Sequence, residues 1–122
     1  MRAEVKSIHT VDVEPLELHP PAKLDCFCVW VRAMVGVRGE TGQESFDIGV
    51  CAPKWLEERC QKDGFVLGRH YLVVDGYNVP FIKKAITKLI ESYEGSTWAE
   101  IGGKIARVGH WEFEDYRPDD KQ

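Results

Sequence analysis

The feature that most constrains the fold is the strict alternation of side chains over residues 25–35. Successive side chains of a strand point to opposite faces, so a strand here has one apolar face and one mixed face. The apolar face would carry Phe27, Val29, Val31, Ala33 and Val35. The opposite face would carry Cys26, Cys28, Trp30, Arg32 and Met34. Antiparallel sheets commonly leave one face in water, so the mixed face is either covered by a helix or partly exposed.

The remaining patterns place strands mostly before helices along the chain. Further strands are predicted at residues 3–12, 44–50, 69–75 and 110–114. Helices are predicted at residues 54–62, 80–93 and 98–108. This order is typical of the α+β class. We expect a mostly antiparallel sheet of about four to five strands, with two to three helices packed on one face.

The last helix and strand are marked by the clearest local signals. Thr97 followed by Glu100 forms a capping box, in which the hydroxyl accepts from the Glu100 N–H and the carboxylate reaches back to the Thr97 N–H. After residue 109 the period changes to two. Trp111 and the aromatic two residues later are then expected to be buried, with Glu112 and Glu114 in solvent.

Length and composition indicate one domain over residues 1–122, with an acidic tail at about residues 117–122. No apolar run approaches the roughly 20 residues of a membrane helix, so we expect no membrane partner. The first ten residues lack the apolar core of a secretion signal. Four cysteines in such a chain indicate reduced thiols, and therefore a cytoplasmic protein.

The charge distribution argues against nucleic acid and in favour of a protein partner. The formal net charge is −4, and five acids face only two bases within residues 110–122. Phosphate contacts require a basic stripe, so a direct nucleic-acid partner is not expected. A basic protein surface fits better, because complementary charge accelerates encounter.

The residues that could carry chemistry form no convincing catalytic site. Cys26 and Cys28 could form half of a metal site, but two-residue spacing inside a strand lacks the turn that presents ligand pairs. There is no nucleophile elbow, phosphate loop or dinucleotide fingerprint. Gly102 and Gly103 indicate close helix packing. We therefore expect no enzyme and no cofactor; the alternative is a small metal- or thiol-dependent enzyme or regulator that uses Cys26, Cys28 and a histidine.

Two groups of residues are candidates for a protein-binding surface. Trp30 and Arg32 share the mixed face of the first predicted strand pair, and Trp and Arg are frequent hot-spot residues. Glu112, Glu114 and Asp115 place acids beside aromatic residues near the end of the domain.

Five short motifs together resemble a known family. In order, they are QESFD at residues 43–47, CxPKWL at 51–56, GRH at 68–70, GxxW at 95–98 and GxWEFEDY at 109–116. This ordered set, above all the WEFEDY ending, resembles the immunity protein 8 family of bacterial polymorphic toxin systems. The likeness extends over nearly the whole chain.

The resemblance implies an α+β cytoplasmic protein that neutralises a cognate toxin domain by binding it one-to-one. It implies no catalysis and no cofactor. It does not identify the toxin, because immunity families pair with several toxin folds, nucleases among them. It transfers no contact residue and leaves self-association open. If the toxin is a nuclease, Glu112, Glu114 and Asp115 would mimic nucleic-acid phosphate against a basic cleft.

Overall fold

The computed structural model describes residues 1–18 and 20–114, and these residues form an α+β fold, as predicted. The strands are β1 (Ala3–Thr10), β2 (Cys28–Val37), β3 (Glu44–Cys51), β4 (Tyr71–Val73) and β5 (His110–Trp111). The helices are α1 (Pro53–Asp63), α2 (Val79–Glu91) and α3 (Trp98–Ile105), with a short 3-10 turn at Leu16–Leu18. None of these helices is long and apolar enough to cross a bilayer.

One five-stranded sheet is centred on β3. β1 pairs with β2, and β2 pairs with β3, both antiparallel. The other edge of β3 is divided between antiparallel β5, at residues 46–47, and parallel β4, at residues 49–51. The sheet is therefore mostly antiparallel, as predicted, and its short parallel pair places the start of β4 beside β5.

The alternation in β2 buries one face of the sheet beneath two helices. Val31, Ala33 and Val35 are buried, and β3 adds Phe46 and Ile48 to the same core. The helical side chains in that core are Ile82, Ile86 and Ile90 of α2 and Ile101 and Ile105 of α3. In β1, a bulge between Val5 and Ser7 shifts the register and keeps the apolar side chain of Ile8 on the core side.

Each helix begins at a residue suited to that position. Pro53 occupies the first turn of α1, and the Asn78 side chain caps α2 by accepting from Phe81 N at 3.0 Å. The Thr97 hydroxyl accepts from Glu100 N at 3.1 Å, as predicted. The reciprocal bond differs from the prediction, because the Glu100 carboxylate accepts from the backbone N–H of the residue before the cap, at 3.1 Å.

The end of the described chain departs from the predicted strand. β5 stops at Trp111, and Glu114 N donates to Trp111 O at 2.9 Å, which closes a turn. Phe113 is consequently 38% exposed, whereas the Glu114 side chain is only 16% exposed. The prediction that Phe113 is buried and Glu114 faces solvent is wrong, because alternation ends where the turn begins. The predicted acidic tail lies outside the described residues.

The outer edge of β1 is occupied by contacts from within the chain. Ala3 N donates to Tyr93 O at 3.3 Å, and Val5 N donates to the Glu91 carboxylate at 2.9 Å. At the other end, Thr10 N donates to Glu14 O at 2.8 Å. These bonds use edge donors that would otherwise be available to an added strand.

Candidate protein-binding face

The face of the sheet opposite the core is partly exposed, which answers the question that the sequence left open. We call it the open face, and the strand register assigns to it His9, Trp30, Arg32, Met34, Ser45, Asp47, Gly49, Tyr71 and His110. Helices α2 and α3 pack against the other side, and α1 contributes no buried residue. Trp30 is 43% exposed on this face.

The Trp30 ring is held in place on one side by packing against β3 and β4. Its centroid lies 5.6 Å from that of Tyr71. Both rings lie against Gly49, where an added Cβ would be 2.8 Å from the Tyr71 ring and 3.1 Å from the Trp30 ring. Tyr71 also contacts Trp55 of α1, with centroids 5.7 Å apart. The exposed part of Trp30 is therefore presented on a supported ring.

Arg32 and Asp47 form a bidentate pair beside Trp30. Arg32 Nε lies 2.8 Å from Asp47 Oδ1, and Nη2 lies 2.9 Å from Oδ2. This hydrogen bonding raises the pKa of Arg32, against the opposing effect of partial burial. Because Arg32 and Asp47 neutralise each other, Arg32 adds a planar, hydrogen-bonded surface to the open face rather than an unpaired positive charge.

Shallow depressions lie on two sides of Trp30, and Val11 lines both of them with it. The first is completed by Thr10, Asp12, Glu14 and Val29. The second is completed by Asp47, His70 and His110. The two depressions can receive protruding side chains of a partner, and Trp30 forms the wall between them.

His70 serves the scaffold at the junction of β4, β5 and α3. Its side chain is 8% exposed, and its backbone adopts a φ of 71°. The ring Nε2 lies 2.9 Å from Ala106 O. Arg69 Nε donates to the same nitrogen at 3.1 Å. These contacts and its burial hold the His70 ring within the scaffold.

The predicted acidic contacts are partly engaged within the chain. The Glu112 carboxylate accepts from Ser45 N at 2.7 Å, at the end of the open face. After the Asp47 hydrogen bond, the charge of Glu112 also contributes to the raised pKa of Arg32. Glu114 accepts from Arg69 and lies 3.8 Å from His110 Nε2. The structure thus brings Trp30, Arg32 and Glu112 to one face; Asp115 lies outside the described residues.

One residue of the scaffold and two residues beside the site were not found from the sequence. Glu44 Oε1 accepts from both indole N–H groups of Trp98 and Trp111, at 2.8 and 2.9 Å. The signal was present, because a buried indole N–H requires an acceptor. Asp12 and Glu14 come beside Trp30 only through the register of β1 against β2, which the sequence does not specify.

Cys26 and Cys28 both have raised pKa values. The Cys26 thiol donates to the Glu58 carboxylate at 3.1 Å, and this bond raises the pKa of Cys26. Burial, with a smaller effect of Cys51, raises the pKa of Cys28 to about 11. Both effects disfavour the reactive thiolate. Within residues 1–18 and 20–114, no three or more His, Cys, Asp or Glu side chains are grouped to hold a metal ion.

Comparison with models of protein families gives a match over most of the chain. The family model described as immunity protein 8 matches residues 3–116. Comparison with curated proteins and with solved structures found no match. The matched span includes all five strands, all three helices and the open face. The chain therefore belongs to the immunity protein 8 family.

Proposed function

We propose that this protein binds a cognate bacterial toxin domain one-to-one in the cytoplasm and neutralises it by covering its functional surface. Family membership supports the immunity role. The observation that best supports the open face as the binding surface is the exposure of Trp30 beside Arg32. Trp and Arg are the side chains most often found to dominate binding energy at protein interfaces.

Neutralisation by occlusion fits the chemistry of the described residues. The pKa values of Cys26 and Cys28 are raised, and the buried His70 ring lies 2.9 Å from a backbone carbonyl. The open face, in contrast, is built on paired strands, and Trp30 is supported by Tyr71 and Gly49. A rigid surface loses little conformational entropy on association, which favours tight binding without catalysis.

A nuclease is the toxin class that the charge of this protein favours. The formal net charge of −4 complements the basic cleft that a nuclease needs for its substrate. Glu112 lies at the rim of the open face and keeps one carboxylate oxygen beyond its bond to Ser45 N. Glu114 is a weaker candidate contact, since Arg69 already engages it. Asp115 stays a candidate from the sequence.

Growth protection tests this function directly. The toxin domain encoded by the neighbouring gene is expressed from an inducible promoter, with or without this protein. We expect growth only when this protein is present, and a one-to-one complex by light scattering when a catalytically inactive toxin domain is mixed with it. Arrest of growth in both cultures, with no complex formed, would contradict the immunity role.

A further inference from the structure

We infer that the toxin surface bound by the open face is basic, and that a Lys or Arg side chain of the toxin lies over the exposed part of Trp30, next to Asp12 and Glu14. This inference rests on the proposed function and names the chemistry of the partner. It moves the centre of the contact from the C-terminal acidic segment to the end of the open face formed by β1 and β2.

The first step is the apolar part of the contact. Trp30 exposes 43% of its surface, and with Val11 it lines both depressions. Tyr71 and Gly49 support the buried side of the ring. A cation that approaches the exposed face of a tryptophan is attracted by the negative face of the ring. The aliphatic stem of the same Lys or Arg can cover Val11.

The second step is the charge around the ring. Asp12 and Glu14 are exposed and line the first depression with Trp30. The Arg32 guanidinium on the open face is already neutralised by Asp47. Asp12 therefore adds a negative charge beside Trp30 that Arg32 does not neutralise, and this charge is complementary to a basic partner.

The third step is the fixed geometry of the turn that carries these two acids. Thr10 N donates to Glu14 O at 2.8 Å, and Val13 N donates to Thr10 O at 2.9 Å. Glu14 N donates to the Thr10 hydroxyl at 3.0 Å. Val13 takes a φ of 65°, which turns the chain between the two acids. The carboxylates are therefore presented from an ordered turn, so less entropy is lost on binding.

A second copy of this chain fits the same face less well. Symmetric pairing through the open face would bring two copies of the same acidic surface, including Asp12, towards each other, and like charges there would repel. Several backbone N–H groups on the outer edge of β1 already donate within the chain, so this edge offers fewer donors for strand pairing between two copies. We therefore assign the face to a basic toxin surface.

The test measures binding kinetics to the inactivated toxin domain encoded by the neighbouring gene. Trp30→Ala should raise the dissociation constant about 30-fold or more, as loss of a hot-spot side chain does. The double change Asp12→Lys and Glu14→Lys should slow association about tenfold at low salt, because it reverses the complementary charge. This second effect should shrink as salt rises from about 0.1 M to about 1 M, where the screening length falls from about 10 Å to about 3 Å.

Matched controls lie on the α2 side of the molecule. Phe81→Ala removes an aromatic ring that is 55% exposed. The double change Glu17→Lys and Asp75→Lys alters the net charge by the same amount at two other exposed acids. Both controls should bind within about twofold of the wild-type protein, as surface changes outside an interface do. Circular dichroism and thermal melting verify that every variant is folded.

Each outcome decides one part of the inference. Loss of binding in Trp30→Ala with an unchanged lysine double variant would refute the basic partner but keep the face. Unchanged binding in both open-face variants, or equal loss in the α2-side controls, would refute the face. A dimer of the isolated protein that Trp30→Ala dissociates would assign the face to a second copy. Failure of the wild-type protein to bind at all would refute the proposed function itself.

Discussion

Two adjacent glycines in α3 have opposite environments, although the sequence shows them as an equivalent pair. An added Cβ at Gly102 would lie 2.7 Å from the Trp111 ring, whereas at Gly103 nothing lies within 4 Å. Trp111 in turn stacks on Phe46, with centroids 5.9 Å apart. The sequence predicted close helix packing for this pair. The structure confirms it for Gly102 alone, because the position of the Trp111 ring depends on β5.

This contrast gives a prediction with its own control. Gly102→Ala should destabilise the fold by about 1–3 kcal/mol, because the new methyl group displaces a packed ring. Gly103→Ala should stabilise it by about 0.5–1 kcal/mol, since the site is open and alanine favours the helix. Denaturant unfolding of both variants measures the difference. Equal effects of the two substitutions would show that Trp111 does not lie against Gly102.

At the scale of elements, the sequence predicted those whose pattern follows from burial alone. β2 alternates because one of its faces is buried beneath α2 and α3, so the residues on each of its faces could be read directly from the sequence. The end of β5 could not be read in this way. Arg69 and Ser45, which bind Glu114 and Glu112 where the strand gives way to a turn, are distant from them in sequence.

The pairing of β2 with β3 yields a prediction about pH. Cys28 lies opposite Cys51, and burial raises the pKa of Cys28 from its ordinary value of 9.0 to about 11. Because the pKa is higher in the folded state, the unfolded chain loses this proton first as pH rises. The contribution of Cys28 to stability should therefore be complete below pH 9.0 and be lost between pH 9.0 and about 11.

Denaturant midpoints between pH 8 and pH 11 measure this loss, and Cys28→Ala provides the reference. Other groups titrate in the same range, so the informative quantity is the difference between wild-type and variant slopes. The wild-type protein should lose stability more steeply than Cys28→Ala. Parallel slopes would show that the Cys28 thiol is not held in its neutral form by the fold.

The whole molecule has a buried helical side and an open face on opposite sides of one sheet. The sequence predicted the class, the two-faced β2 strand, and the placement of Trp30 and Arg32 on its second face. It could not predict that the turn carrying Asp12 and Glu14 lies beside Trp30, because that requires the β1 register and its bulge. It also could not show that Arg32 is already paired with Asp47, which depends on the register of β2 against β3.

The central claim is that the open face is where this protein meets its toxin, and side-chain footprinting tests it most directly. Hydroxyl radicals are applied to the protein alone and to its complex with the inactivated toxin domain of the neighbouring gene, and oxidation is read by mass spectrometry. Trp30 and Phe81 are both accessible in the isolated protein, at 43% and 55% exposure. We predict that toxin binding suppresses oxidation of Trp30 severalfold and leaves Phe81 unchanged. Protection of Phe81 with unchanged oxidation of Trp30 would contradict this account.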